Sequence, residues 1–477
     1  MQKKYISILF FITVLHFVCN AAAFTSDTLS STKIDRLKSF FSLQNNDTLQ
    51  QFNRYTTASD LDDMPAKWKI IWSGMIGFDF FLDTRKPVEL RDGGIYLYPT
   101  NVQYDRFGKD INAMPSFNFI AMNTRLTLKI SAPDVLGAHV SGMIEGWFIG
   151  VSNNDMNGFA LRHSFLKLNW KTTELLFGQT WHPLFTERMF PQTISGSAGA
   201  PFQPFARSPQ IRLTQQFAKN NFLLLYLNAQ RDILSMGSGA ASSEYLRNSA
   251  IPEMGLQYIL DGNRKNDNVT VNYYFGVGGN YKHIIPRTIT ANNIITKKGA
   301  DAFTALIFFN YYKKFTQKKL MTGIKGKVTY GQMTNDFLML GGYAIREYNA
   351  LLPLDHSVDY NYTAINTLSA WIDIYAQCHS FEFALFSGFS KNMGAFNNIQ
   401  SPQNPNAYYA RQYNIDLLYR ISPRFKYSAK HLHFCFEPEY TSAIYGSAMT
   451  RKGKVDPSEK TYWVHNIRFL FTTVFSF

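Results

Sequence analysis

From Lys69 to the C-terminus, apolar and polar residues alternate along the chain with a period of two. Such alternation marks a strand whose two faces meet different surroundings. In Ser116–Ser131, Ile120, Met122, Leu126, Leu128 and Ile130 share one face, and Asn123, Arg125, Thr127 and Lys129 share the other. In 319–333, Ile324, Val328 and Tyr330 oppose Lys325, Lys327 and Thr329. In 408–422, Tyr413, Ile415, Leu417 and Tyr419 oppose Gln412, Asn414, Asp416 and Arg420. The last segment sets Trp463, Ile467, Phe469, Phe471, Phe475 and Phe477 against Asn466, Arg468, Thr472 and Ser476, with Leu470 and Val474 intruding on the polar side.

Marking every such segment predicts about sixteen strands. They lie near 69–82, 116–131, 138–150, 158–170, 172–181, 208–218, 221–230, 253–260, 268–282, 301–315, 319–333, 361–377, 379–391, 408–422, 424–440 and 459–477. Short turns, such as 132–137, 261–267 and 316–318, alternate with long loops at 83–115, 182–207, 231–252, 283–300, 334–360, 392–407 and 441–458. Only the loop at 151–157 is shorter. An up-and-down meander with short turns at one end, long loops at the other and an even strand number is the pattern of an antiparallel transmembrane β-barrel. Lipid offers backbone groups no hydrogen bonds, so a spanning sheet must close on itself. Tyr273, Tyr281, Tyr311, Tyr330, Tyr409, Tyr419 and Trp463 fall near strand ends, where interfacial aromatic girdles sit. A hairpin around Gly94–Pro99 inside the 83–115 loop would raise the count to eighteen. The rival all-β reading is a soluble sandwich or adhesin, which would bury one strand face without needing such regular loop alternation.

Composition narrows the picture. The 477 residues are 16% aromatic and only 17% charged. A disordered chain would carry fewer aromatics and more charge. Mean hydropathy is −0.18, and after the N-terminus no apolar stretch is long enough for a spanning helix. The opening MQKKYISILFFITVLHFVCNAAAF has a basic start (Lys3, Lys4), an apolar core and a small-residue site at Ala21–Ala23. It reads as a secretory signal over 1–23. Residues 24–68 are rich in Ser, Thr, Asp, Asn and Gln and read as a periplasmic extension, with a short helix conceivable at Ile34–Leu43. The barrel then occupies 69–477. Cleavage after Ala23 would lower the net charge from +14 to +12 and leave only Cys378 and Cys435, too few for a disulfide framework.

The C-terminal TYWVHNIRFLFTTVFSF ends in Phe477 behind alternate aromatics. LRHSFLKLNW, ELLFGQTWHPLF and GAPFQPFARSPQIRLTQQ lie in the body. On these segments the chain resembles Gram-negative outer-membrane porins, in particular trimeric porins of the dicarboxylate (DcaP-like) type and their Bacteroidetes relatives. The resemblance implies that Phe477 is the signal read by the barrel-assembly machinery. It implies a homotrimer in outer-membrane lipid and lipopolysaccharide, and a long loop folded into the lumen. His182–Pro209 is the candidate for that constriction loop: it carries Phe185, Phe190, Phe202 and Phe205, which water gives no reason to expose. Packing on a neighbouring subunit is the other reading of it.

Selectivity in a wide pore comes from charged side chains at the constriction. Inward-phase cations are Arg125, Lys129, Lys167, Arg212, Lys325, Lys327, Arg420 and Arg468, while Arg188 and Arg207 lie in the candidate loop with Glu187 as counter-charge. With the basic net charge they point to passive diffusion of small hydrophilic solutes with anion preference. Solvation of the wall is the plainer role for each. Arg162 falls on the lipid phase unless a bulge re-aims it. His431, His433 and Cys435, with Glu437 following, share a face, yet alternate strand residues do not converge on one ion, and no metal or cofactor is expected. SNNDMNG at 152–158 has calcium-like oxygen chemistry but reads as a hairpin tip. His163 and Ser164 diverge on their strand, no nucleophile–base set is evident, and the chain is not expected to be an enzyme. Export and the lack of a basic cluster argue against nucleic acid. The alternative function is a surface receptor or adhesin built on a plugged barrel.

Overall fold

The computed structural model describes residues 68–150, 155, 158–290, 292–347 and 359–477. The signal predicted over 1–23 and the extension predicted over 24–68, apart from Trp68, lie outside them. So does the 152–158 segment, apart from Asp155 and Gly158. The strands, in chain order, are β1 (Lys69–Asp83), β2 (Pro87–Leu90), β3 (Ile95–Pro99), β4 (Ser116–Ile120), β5 (Arg125–Val135), β6 (Ala138–Trp147), β7 (Ala160–Asn169), β8 (Thr173–Trp181), β9 (Arg207–Ala218), β10 (Asn221–Asn228), β11 (Glu253–Lys265), β12 (Val269–Ile284), β13 (Ala300–Phe315), β14 (Leu320–Gln332), β15 (Gly342–Ile345), β16 (Tyr362–Cys378), β17 (Phe381–Ala395), β18 (Tyr408–Ala410), β19 (Ile415–Ala429), β20 (Leu432–Gly446) and β21 (Thr461–Ser476). One short helix, α1 (Glu244–Arg247), accompanies them.

Each wall strand pairs antiparallel with its neighbour, and β1 closes the ring by pairing with β21 on one side and with β4 and β5 on the other. Counting β4 and β5 as one interrupted strand, the described residues form a closed sixteen-stranded barrel. The eighteen-strand option is corrected. A hairpin does form over Pro87–Pro99, but β2 and β3 make a separate two-stranded sheet. All of β3 is buried among side chains of the interior. It is too short to span and has left the wall.

The two faces differ as the alternation requires. On β21, Trp463 and Phe475 are exposed outward while Asn466, Arg468 and Thr472 are buried inward with Leu470 and Val474. On β14, Val328 and Tyr330 face out, and Lys325, Lys327 and Thr329 face in.

Register shifts occur at several places among the described residues, and three of them bear on the predicted faces. Between Ile120 and Arg125 the chain uses one residue more than its partner β1, which runs from Asp79 to Met75. Phe117 and Phe119 therefore point outward and Ile120 inward, against the predicted grouping of Ile120 with Leu126. The register also slips between Glu145 and Gly146, opposite His163 and Leu161. Arg162 is the extra residue. It turns inward with His163 and is fully buried, while Leu161 faces out. A third slip lies between Ile415 and Leu417, so Ile415 is buried inside with Leu418 and Arg420. The predicted 408–422 strand is split: Tyr408–Ala410 leaves the wall and pairs with β15.

The seam is reinforced by charge. Asp83 and Arg468 are register partners across β1 and β21, and Arg468 donates to Asp83 through Nε at 3.0 Å and Nη2 at 2.8 Å. Arg468 also reaches Gly93 O at 2.7 Å and Glu89 at 2.8 Å, tying the inner hairpin to the seam. Removing one partner of a buried pair leaves the other uncompensated, which costs about 3–5 kcal/mol. Arg468→Ala is therefore expected to lower the temperature at which the barrel loses its heat-modifiable gel mobility, and to do so more than Asp83→Asn. Equal melting of wild type and Arg468→Ala would remove the seam role.

Candidate functional site

Several chain segments fold into the barrel. The β2–β3 hairpin, the 182–206 loop and the 333–341 turn contribute Leu97, Tyr98, Phe185, Phe202, Phe205, Phe337 and Leu340 to one apolar cluster that also includes Trp371 and Phe386 of the wall. The 182–206 loop starts with a tight turn in which His182 Nδ1 accepts from Leu184 N at 3.1 Å. Trp181 stacks on Phe185 at 4.0 Å between ring centroids. The loop tip hangs on wall carboxylates: Gln192 N donates to Asp373 at 3.3 Å, and Ile194 N donates to Glu437.

Most of the cations picked out from sequence are bound up in this packing. Lys327 Nζ donates to the carbonyls of Leu184 (2.8 Å) and Phe185 (2.7 Å). Arg420 donates to Leu97 O at 2.9 Å, Ala200 O at 3.3 Å and Thr441 Oγ1 at 2.9 Å. Lys167 and Arg212 share Glu174, at 2.8 and 3.3 Å. Lys325 lies 3.7 Å from Asp373. Arg188, half-exposed, pairs with Asp261 and sits 5.0 Å from the Tyr274 ring centroid. Glu187 is half-buried in the loop and Lys129 half-buried on β5. Phe477 extends the seam: its N–H donates to Gly74 O at 3.1 Å, and Gly74 N donates back at 2.9 Å.

Arg125 and Arg207 converge with two arginines outside the candidate set, Arg91 and Arg162. Around the Trp147 ring stand Arg207 at 4.4 Å, Arg91 at 5.1 Å, Arg162 at 5.3 Å and Arg125 at 5.6 Å. Arg162 and Arg207 also flank Trp181, at 5.3 and 4.9 Å. Guanidiniums on indole faces gain cation–π attraction of about 0.5–2 kcal/mol each. Two carboxylates sit among the four: Glu145 pairs with Arg162, and Asp232 bridges Arg91 and Arg207. The cluster is thus a buried, net-basic surface with two aromatic walls.

Arg162 was legible only as a broken alternation. Arg91 and Asp232 lie in loops, where no periodicity flags a side chain as inward. The face of His431, His433, Cys435 and Glu437 brings no metal set together: among the described residues no group of three such ligands is poised for an ion. A hydroxyl–imidazole pair absent from the sequence reading forms across β20 and β21, with Ser442 Oγ 2.8 Å from His465 Nδ1. The same nitrogen meets Tyr440 Oη at 2.9 Å, and Ser442 is buried, so a substrate has no access to it.

No family model matches the sequence, and no curated protein matches it. Solved structures do. The outer-membrane channel DcaP of Acinetobacter baumannii superposes with a TM-score of 0.56 at 13% identity, covering 87% of this chain and 99% of that one. The chain has the fold of the outer-membrane porins. An anion-selective porin from Comamonas acidovorans is more distant, with a TM-score of 0.45, 9% identity, and coverage of 86% of this chain and 100% of that one. The porin fold fixes the architecture here; at these identities it transfers no residue roles.

Burial alone would raise the Asp232 carboxyl, but the guanidiniums of Arg207 and Arg91 outweigh it and hold the group well below the usual carboxylate range. A carboxyl depressed in the fold stabilises the fold fully above its unfolded value of about 4, and loses that only as pH falls through the lower folded value. The gap in unfolding temperature between wild type and Asp232→Ala should therefore stay constant from about pH 8 to about pH 5 and narrow only below about pH 4. Narrowing near neutral pH would mean that another group supplies the gap.

Proposed function

We propose that the chain is an integral outer-membrane porin that lets small hydrophilic solutes diffuse passively, with a preference for anions. The observation that carries this reading is the closed barrel with an apolar outer face and an inward face rich in Arg and Lys, narrowed by segments folded into its interior. Charged side chains along such a path set ion preference through the local potential. The outer face supports membrane insertion: hydrocarbon meets Leu, Ile and Phe, and no backbone edge is left open. Outer-membrane lipid and lipopolysaccharide would surround it. An aromatic ridge formed by Phe78, Phe80, Phe117 and Phe119, with ring centroids 4.9–6.0 Å apart, lies on the outer face of β1 and β4. That ridge is a suitable seam for the homotrimer implied by the family resemblance. Catalysis forms no part of the proposal.

One observation favours the second reading, a surface receptor or adhesin on a plugged barrel. The apolar cluster of the lumen segments fills space that an open pore would leave to water. Conductance separates the two. Planar-bilayer recording of the purified protein in a salt gradient is expected to give stepwise currents with a reversal potential displaced toward the anion value. The double substitution Arg125→Ala and Arg207→Ala should move that potential toward zero by at least half. Silent bilayers under all voltages would favour the receptor; cation preference in the wild type would overturn the anion assignment.

A further inference from the structure

Asp232 belongs to no strand. It lies in the segment between β10 and β11, and its carboxylate is where three interior segments meet. Oδ1 accepts from Arg91 Nη2 at 2.7 Å, and Oδ2 accepts from Arg207 Nε at 3.0 Å and Nη2 at 2.8 Å. Arg91 sits in the turn of the β2–β3 hairpin with φ of 56°. Arg207 closes the 182–206 loop and opens β9. The bridge is buried, with both guanidiniums against the Trp147 ring.

Two guanidiniums converging on one carboxylate is the arrangement that recognises a free oxyanion, because the planar fork matches a carboxylate or phosphate edge. One donor of the fork is still available: Arg207 Nη1 is buried and makes no hydrogen bond to any described residue. An oxyanion with a further oxygen could engage it, whereas the two oxygens of Asp232 are committed.

We propose that Asp232 is a built-in substitute ligand: it occupies the oxyanion seat of Arg91 and Arg207 in this structure, and an entering phosphate-type solute, with its additional oxygens, displaces it. This regulation of the arginine site rests on the anion-channel reading above. The exchange conserves charge-assisted hydrogen bonds, one set of acceptor oxygens replacing another, so no guanidinium is left buried alone. Displacement frees the 229–252 segment from the hairpin and the long loop at this point of contact. A tethered competitor acts at an effective concentration on the order of mM, so the solute would need to reach a comparable level to win the seat.

The test uses the full-length protein and inorganic phosphate as the probe, with chloride as the anion that has no oxygen edge to match the fork and no further oxygen for Arg207 Nη1. Two quantities are read: the phosphate midpoint for modulation of single-channel current, and the phosphate midpoint for the shift in unfolding temperature on heat-modifiable gels. Asp232→Asn keeps the side-chain shape and an acceptor oxygen but removes the competing charge. It is expected to lower both midpoints at least tenfold, with a change in the response to chloride of less than threefold. Arg91→Gln, which weakens the seat, is expected to raise them. Equal midpoints in wild type and Asp232→Asn would overturn the proposal, as would a higher midpoint in Asp232→Asn. If the wild type carries no current yet Asp232→Asn still lowers the midpoint of the melting shift, the seat stands and it is the channel reading that fails.

Discussion

The structure depends on one constraint: a sheet facing hydrocarbon must leave no backbone donor or acceptor without a partner. Pairing of β1 with both β21 and β5 meets it. The rest of the architecture follows from closing that ring. Closure fixes inside and outside for every residue, so a period-two sequence puts its Leu, Ile and Phe in lipid and its Arg, Lys, Asp and Glu in the interior. Closure also creates an interior too wide for wall side chains alone to fill, and the long loops at one end fill it. The hairpin, the 182–206 loop and the 333–341 turn supply apolar side chains that meet one another there.

That filling changes what inward charge means. A lysine or arginine on a water-lined wall would be solvated and would act on passing ions. Here Lys327, Arg420 and Arg468 donate to main-chain carbonyls of the folded-in segments. The carbonyls of Leu184, Phe185 and Gly93 lie outside any strand and Leu97 is the bulged residue of β3, and buried carbonyls need donors. The wall cations supply them. Side chains that the sequence marks as candidates for ion selection therefore also anchor the segments that narrow the path.

Strand number, closure and the division into two faces were legible because alternation records solvent directly. Bulges were not, because a single extra residue leaves composition and spacing almost untouched while reversing the phase beyond it. Ile120 and Ile415 were assigned to the wrong face for that reason, and Arg162 carried a visible warning only because a charge fell on the lipid phase. The hairpin at Gly94–Pro99 was detectable as a hairpin. Its place inside the barrel was not, since four- and five-residue strands have the same local signature wherever they pack. Arg91 and Asp232 were the least accessible. They meet across well over a hundred residues of sequence, and nothing local to either predicts the other.

Arginine forks are among the links that join the lumen segments to the wall and to one another. A fork can bond two segments at once in a way that the point charge of lysine cannot. Arg420 shows the consequence: one guanidinium holds both Leu97 of the hairpin and Ala200 of the long loop. Those two segments are also interlocked through Tyr98, Phe202 and Phe205 in the apolar cluster, so separating them would expose hydrocarbon as well as break the fork. They form a single mechanical unit. The 229–252 segment adds to its own apolar contacts (Ile233 in the same cluster, Tyr245 and Leu246 beside Ile284 and Tyr343) two polar attachments: Asp232, and Gln230, whose side chain donates to Asp336 at 2.6 Å. Polar attachments can be traded for equivalent ones from solution, whereas an apolar cluster has no such substitute in water. Exchange in the lumen would therefore begin at the Asp232 bridge and leave the apolar contacts of all three segments in place.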